Sequence, residues 1–186
     1  MTAMLAGKTV AILAANGFDE NTMTEIQRAL TSAKASFKTI APEQGLVNGW
    51  QDNRWGHYFP VDALIGEALG SDFDILVIPG GERATAKLET NLHTRRIVNH
   101  FLEAGKPVAA VGDGVKLLAL SPKIAGICVA APETSQDALV HAGALISDDS
   151  TELCNAVLTS EGPANKAWID EALALFDDSE RELQAA

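Results

Sequence analysis

The sequence predicts an α/β domain whose mainly parallel central sheet is covered by helices on both faces. The chain has 186 residues and is 47% hydrophobic, which suits one domain with a sizeable core. Short continuous apolar runs, typical of strands buried on both faces, alternate with segments of helical periodicity. Irregular turns follow three of these runs, at residues 16–20, 79–82 and 112–114. A parallel sheet would bring the three turns together at the carboxyl ends of its strands, where α/β proteins place their sites.

The first half of the chain contains two predicted strands and one helix. The apolar run at residues 9–15 predicts a strand that ends at Asn16-Gly17, and residues 36–41 predict a second strand. Residues 42–62, PEQGLVNGWQDNRWGHYFPVD, are predicted to form a loop that holds two of the three tryptophans. The helix between the strands is marked by Met23, Ile26, Leu30 and Ala33.

The second half continues the alternation. Residues 74–78 predict a strand that ends at a Pro-Gly-Gly turn, and residues 91–104 predict a helix. Residues 127–131 and 156–160 predict two more strands. The last helix is marked by Ile169, Ala172, Leu173 and Phe176, and the acidic end DDSERELQAA predicts a fraying helix end or a short tail.

The stretch PVAAVGDGVKLLAL, residues 107–120, has the order strand, sharp turn, helix. This is the layout of a nucleophile elbow, whose apex normally carries a serine or cysteine. The residue at the predicted apex is Gly112. Glycine adopts the positive φ of such an apex without strain, so the turn can persist without a nucleophile.

Composition excludes several classes of partner. The net charge of −11 disfavours nucleic acid and anionic membrane surfaces, and no apolar run approaches the roughly 20 residues of a membrane span. Cys128 and Cys154 are too distant in sequence for a CxxC motif, too few for a disulfide framework, and surrounded by apolar residues that predict buried structural thiols. The four histidines show no metal-ligand spacing, so no metal and no cofactor is expected. These features are typical of a cytoplasmic protein.

Five stretches resemble the ThiJ/PfpI superfamily in their order and spacing, over roughly residues 8–177. They are VAILAANGFDE, GLVNGWQDNRWGHYFPVD, FDILVIPGG, FLEAGKPVAAVGDGVKLLA and AVLTSEGP. The resemblance implies one domain over residues 1–186 with a flavodoxin-like three-layer sandwich, a class I glutamine amidotransferase-like core and assembly into a homodimer or larger oligomer. Peptidase, glyoxalase, deglycase, isonitrile hydratase and chaperone-like functions occur in that superfamily. The extra domain of large-subunit catalases is a similar fold that lacks the cysteine and carries a Gly-Asp turn.

Active members are cysteine enzymes whose elbow reads roughly A-[IV]-C-H-G. By this resemblance, Gly112 occupies the cysteine position and Asp113 the histidine position, while the acidic partner falls on Asp19 or Glu20. The resemblance therefore implies a protein that has lost cysteine catalysis and acts as a small-ligand-binding, stress-related or stabilising module. The alternative is a hydrolase or lyase of the protease/amidase or glyoxalase type. It would use Asp113 with Asp19 or Glu20 and an oxyanion hole made by the N–H groups of Gly81 and Asp113.

The carboxylates also have structural explanations. Asp113 precedes a predicted helix and is favoured as its N-cap, with a general base or metal ligand as the alternative. Asp19 and Glu20 lie before the first helix, where acidic residues are electrostatically favoured, or they are retained pocket carboxylates.

The binding candidates are the glycine turns and one histidine. Gly80 and Gly81 either form a tight turn or direct N–H groups into the pocket, where a small anionic or carbonyl ligand would bind beside Gly112 and Gly114. His57 is the histidine most expected to approach that pocket. Four aromatic residues are candidates either to line the pocket or to pack at a subunit contact: Trp50, Trp55, Tyr58 and Phe59.

Overall fold

The structure is a computed structural model that describes residues 5–185, with the side chains of residues 5–177. The strands are β1 (Thr9–Leu13), β2 (Phe18–Asp19), β3 (Ser36–Ala41), β4 (Leu46–Gln51), β5 (Arg54–Pro60), β6 (Ala63–Leu64), β7 (Ile75–Ile78), β8 (Val108–Val111), β9 (Cys128–Val129), β10 (Leu145–Ile146), β11 (Thr151–Cys154) and β12 (Val157–Ser160). The α-helices are α1 (Glu20–Ser32), α2 (Glu82–Glu89), α3 (Leu92–Ala104), α4 (Glu133–His141) and α5 (Lys166–Ala185). Three 3₁₀ helices cover Gly70–Asp72, Gly112–Leu120 and Pro122–Ile124.

A seven-stranded sheet forms the centre, in the order β11-β12-β8-β7-β1-β3-β6. Every neighbouring pair is parallel except β11 and β12. The central strands β7, β8 and β12 are buried along their whole length, as strands covered on both faces must be. The α/β fold with a mostly parallel sheet is therefore confirmed.

Helices cover both faces because the chain leaves the sheet centre in two directions. From β1 it crosses through α1 to β3, and from β7 it crosses through α2 and α3 to β8 on the opposite side. Since parallel crossovers are right-handed, α1 and α3 lie on opposite faces. The neighbours β1 and β7 thus define the topological switch point, where ligands bind in open α/β sheets. In residues 5–185, no helix has the length and apolar character needed to cross a membrane.

The prediction of a loop over residues 42–62 is wrong. This segment forms the antiparallel hairpin β4–β5, which joins β2 in a separate three-stranded sheet. Asp52 and Asn53 turn the chain with φ of 50° and 57°, and residues of this type tolerate the left-handed conformation of tight hairpin turns. The hairpin is hard to recognise because β5 is exposed or only half-buried, which hides the apolar alternation of a strand.

Smaller differences occur in the second half. The strand predicted over residues 127–131 shrinks to β9, which pairs with β10 in a separate two-stranded sheet. The helix predicted after the elbow turn is a 3₁₀ helix. Helices α2 and α4 have eight and nine residues, about two helical turns each. A helix this short contains too few apolar residues for its periodicity to be recognised in the sequence. Helix α5 continues through most of the acidic end, whose side chains from residue 178 onward lie outside the described residues.

Candidate functional site

A cleft of about 370 Å³ opens at the carboxyl ends of β1, β7 and β8. Each of the three irregular turns contributes to its lining, so the predicted convergence of these turns is observed. The residues that they contribute include Gly17, Asp19, Gly81, Glu82, Gly112 and Asp113.

Further lining residues come from three other segments, of which the sequence had indicated only the hairpin, through Trp50. Glu161 and Gly162 follow β12, Pro132 precedes α4, and Trp50 reaches the cleft from the hairpin. The stretch SEGP, which directly follows a buried strand, was the available signal for Glu161. Four carboxylates of the described residues therefore line the cleft: Asp19, Glu82, Asp113 and Glu161.

Glycines allow the three turns to approach one another. Gly80 has φ +81°, and a Cβ there would lie 2.5 Å from the carbonyl oxygen of Val111. Gly81 has φ +100°, and its Cβ would lie 2.5 Å from the carbonyl oxygen of Gly17. A Cβ on Gly114 would lie 3.0 Å from the Cα of Gly80. Gly80 and Gly114 therefore act in close backbone packing, whereas Gly81 also faces the cleft.

Gly112 sits at the apex between β8 and the 3₁₀ helix. Its φ is +55°, a conformation that disfavours residues with a side chain. A Cβ at this position would find only the carbonyl oxygen of Gly162, 4.0 Å away. The apex is thus strained for other residues yet has open space into the cleft.

The prediction that Asp113 is a helix N-cap is wrong. The cap position is Val111, and no side chain there accepts a capping hydrogen bond. A tight 3₁₀ turn begins directly at Gly112, which places Asp113 inside the first turn, where its carboxylate lines the cleft.

The surroundings of Asp113 favour its protonated form. Burial raises the pKa of Asp113, and the negative charge of Glu82 raises it further. A hydrogen bond from Thr134 and the charge of Lys116 oppose this shift in the pKa. The carboxylate that raises the pKa of Asp113 is thus Glu82, at the start of α2, and neither Asp19 nor Glu20 is among the causes of this shift. Glu82 ends the Pro-Gly-Gly-Glu turn, one of the three turns predicted to converge. Its position in the sequence therefore indicated a cleft carboxylate, which the predicted pairing of Asp113 with Asp19 or Glu20 overlooked.

Asp19 lines the cleft but has a structural role as well. It is the N-cap of α1, and its Oδ1 accepts a hydrogen bond of 2.8 Å from the N–H of Thr22. Its own N–H donates to the carbonyl oxygen of Gly80, which ties the first turn to the second. The expected helix-start role is observed at this residue.

Glu20 is buried beneath the hairpin and is not among the described residues that line the cleft. Its Oε2 accepts the N–H of His57 at 2.8 Å, and its Oε1 lies 2.5 Å from Nδ1 of His57. Gly49 and Gly56 leave the space for this carboxylate, since a Cβ on either would collide with it. The expectation that His57 approaches the pocket is not met in the described residues: its ring is 81% exposed and pairs with Glu20.

Two backbone N–H groups at the cleft are candidates to bind a ligand. Gly81 and Asp113 both line the cleft, and the N–H of Gly81 donates none of the turn and loop hydrogen bonds found among the described residues. Asp113 lies in the first turn of the 3₁₀ helix, where N–H groups have no partner within the helix. Such N–H groups can bind an oxygen atom of a ligand.

Comparisons with known proteins agree with this architecture. The model of the DJ-1/PfpI family matches residues 8–174. This chain belongs to the DJ-1/PfpI family. General stress protein 18 of Bacillus subtilis is 29% identical over 174 residues, which cover 92% of this chain and 99% of that protein. Protein DJ-1 homolog D of Arabidopsis thaliana is 30% identical over 126 residues, which cover 65% of this chain and 32% of that protein, so the match spans about a third of the plant protein.

Solved structures show the same fold. The structure of a ThiJ/PfpI domain protein from Brachyspira murdochii superposes with a TM-score of 0.81 at 21% sequence identity, covering 95% of this chain and 98% of that one. At this identity the likeness establishes the fold of the DJ-1/PfpI domain and not its chemistry.

The aromatic residues of this DJ-1/PfpI domain divide between cleft, core and surface. Trp50 lines the cleft, and the guanidinium of Arg83 lies 4.1 Å from its ring centroid. Phe59 packs edge-on against the buried Phe18, with ring centroids 5.1 Å apart. Trp55 and Tyr58 are more than half exposed.

Both cysteines of the DJ-1/PfpI domain lie outside the cleft. Neither Cys128 nor Cys154 is a lining residue, and both are half-buried, so the prediction of buried thiols is wrong. They lie at the edge where the small β9–β10 sheet meets β11, which leaves one side open. Among the side chains of residues 5–177, no three or more of His, Cys, Asp and Glu are grouped so as to hold a metal ion.

Proposed function

We propose that this chain binds a small neutral carbonyl compound in its cleft and performs no cysteine-nucleophile chemistry there. The observation that carries the proposal is the apex of the turn, where a glycine with φ +55° stands beside open space. By resemblance, that position holds the nucleophile in active relatives. The described lining contains neither a thiol nor an imidazole that would replace it.

The charges of the cleft support a neutral ligand. The cleft is acidic because it is lined by Asp19, Glu82, Asp113 and Glu161. These carboxylates would repel a small anion, which was one of the two kinds of ligand that the sequence suggested. A carbonyl oxygen would instead accept hydrogen bonds from the N–H groups of Gly81 and Asp113. The carboxylates would accept hydrogen bonds from donor groups on the same ligand.

A stress-related role and self-association are also proposed. Similarity to General stress protein 18 supports a stress-related role. The exposed Trp55 and Tyr58 on the hairpin support self-association, since large apolar side chains at a surface favour a protein contact. Size-exclusion chromatography with light scattering measures the assembly directly, and a monomer at all concentrations would overturn that part.

The experiment that tests the binding proposal uses a thiol placed at the apex. Gly112→Cys introduces a side chain where the structure has room, and Gly105→Cys is its matched control. Gly105 has a similar φ of +66° and also has open space, but it ends α3 outside the cleft lining. Alkylation by iodoacetamide would be measured with and without small carbonyl compounds, among them acetamide and methylglyoxal, alongside turnover of methylglyoxal and of a fluorogenic peptide.

The proposal predicts no turnover by the unmodified chain, together with protection of Gly112→Cys, but not of Gly105→Cys, by a neutral carbonyl compound. Native Cys128 and Cys154 are distinguished from the new thiol by peptide mapping of the alkylated sites. Equal alkylation of both variants at every ligand concentration would overturn binding in the cleft. Turnover by the unmodified chain would overturn the non-catalytic part.

The raised pKa of Asp113 favours a second candidate, a hydrolase or lyase that works through water. Asp113 would transfer a proton while Glu82 stabilises its protonated form, and the N–H groups of Gly81 and Asp113 would stabilise a developing oxyanion. This candidate predicts turnover by the unmodified chain that falls at least about 100-fold in Asp113→Asn. Unchanged turnover in Asp113→Asn would exclude it.

A further inference from the structure

The two cysteines are 26 positions apart in sequence but are neighbours in the fold. Cys128 lies on β9 and Cys154 ends β11, and the N–H of Cys128 donates a hydrogen bond to Sγ of Cys154 at 3.3 Å. A cysteine sulfur lies about 3–4 Å from its own backbone nitrogen. The sulfur of Cys154 therefore lies beside the backbone of Cys128, and a disulfide between the two residues would require a side-chain rotation.

The two thiols have different surroundings. Burial raises the pKa of Cys128, and the neighbouring Glu152 carboxylate and Cys154 raise it further, against an opposing hydrogen bond with Ser147. The backbone N–H of Cys128 contacts the sulfur of Cys154, so Cys154 is the thiol of the pair that a backbone donor reaches. Both residues are half-buried, so a small oxidant can reach them.

We propose that Cys128 and Cys154 form a reversible redox pair, which a hydroperoxide closes into an intramolecular disulfide. The thiolate of Cys154 attacks one peroxide oxygen, the O–O bond breaks, and the alcohol or water leaves after taking up a proton. Cys154 is then a sulfenic acid. The sulfur of Cys128 attacks that sulfur, the S–O bond breaks, and water leaves with the thiol proton. Two thiols and one hydroperoxide thus yield one disulfide, one alcohol or water, and one water.

The disulfide would restrain one wall of the cleft. The chain reaches Pro132 four residues after Cys128, and β12 follows Cys154 and ends immediately before Glu161. Both Pro132 and Glu161 line the cleft. The bond would join the separate β9–β10 sheet to the edge strand of the main sheet and close a loop that contains α4.

The test oxidises the purified chain with hydrogen peroxide and follows its thiols. We expect loss of both free thiols, a Cys128–Cys154 disulfide in a non-reducing peptide map, recovery with dithiothreitol, and a Tm about 5–10 °C above that of the reduced chain. In Cys128→Ser, Cys154 should stop at a sulfenic acid that dimedone traps. In Cys154→Ser, dimedone labelling should be at least about tenfold slower.

Three results would overturn the proposal. One is oxidation of the unmodified chain to sulfinic acid without a disulfide. Another is a disulfide that only joins two chains, which a non-reducing gel shows directly. The third is equal dimedone labelling in the two serine variants, which would remove the assigned order of attack. Because the first two results concern the unmodified chain, they do not depend on whether either variant folds.

Discussion

The buried carboxylate of Glu20 accepts the backbone N–H of His57 at 2.8 Å and lies 2.5 Å from Nδ1 of the same residue. One acid at the start of α1 therefore holds the β4–β5 hairpin in place. Since the hairpin carries Trp50 into the cleft, this pair links a structural contact to the shape of the site.

Replacing Glu20 by alanine should destabilise the protein by about 1–3 kcal/mol, because the part-buried backbone N–H of His57 loses its acceptor. His57→Ala should cost no more than about 1 kcal/mol, since the lost ring is mostly exposed and the backbone N–H remains. Urea denaturation of both variants measures the difference. A larger loss in His57→Ala would mean that the imidazole, and not the backbone contact, holds the hairpin.

Gly112, at the apex, and Gly80, which packs against the backbone of Val111, should differ sharply in how well they tolerate alanine. Gly112→Ala should cost about 1–2 kcal/mol, because its φ of +55° strains the backbone but the new methyl group has room. Gly80→Ala should cost about 2–5 kcal/mol, since its methyl group also meets the carbonyl oxygen of Val111. Equal losses in thermal or urea unfolding would contradict the open space at the apex.

Asp113 should make stability depend on pH. Its pKa in the folded state lies above its ordinary value, so the stability that it contributes is fully present below the ordinary pKa of aspartate and is lost as pH rises through the folded-state pKa. Asp113→Asn should therefore reduce the fall in Tm that occurs above about pH 4. It should also raise the Tm at pH 7 by about 1–3 °C, and the effect should be modest because solvent screens the charge of a half-buried group.

Two variants control this pH experiment. Thr134→Val removes the hydrogen bond that opposes the raised pKa of Asp113, so the fall in Tm should extend to higher pH. Asp149→Asn changes an exposed carboxylate of the same type and should leave the profile almost unchanged. An identical profile for Asp113→Asn and Asp149→Asn would show that Asp113 is not the titrating group.

The central sheet and the convergence of its turns could be predicted because strands buried on both faces leave continuous apolar runs, and parallel strands place their carboxyl ends together. Side-chain contacts between segments that are far apart in the sequence could not be predicted. Asp19 and Glu20 are adjacent in sequence, yet one caps α1 at the cleft and the other lies beneath the hairpin, a division decided by Gly49 and Gly56. Likewise, Glu82 raises the pKa of Asp113 because α2 begins at the cleft, and nothing in the local sequence of either segment encodes that proximity.

Gly56 has no side chain, and this leaves the space that the Glu20 carboxylate occupies. A Cβ on Gly56 would overlap the Glu20 carboxylate, which cannot swing away because His57 holds it in a buried position. Gly56→Ala should therefore cost about 1–3 kcal/mol and change Trp50 fluorescence as the hairpin shifts. In a Glu20→Ala background the same change should cost nothing or stabilise slightly, since the space is empty and alanine replaces glycine within a strand. The double-mutant cycle should give a coupling above about 1 kcal/mol, and additive losses would show that Gly56 is needed for a reason other than this carboxylate.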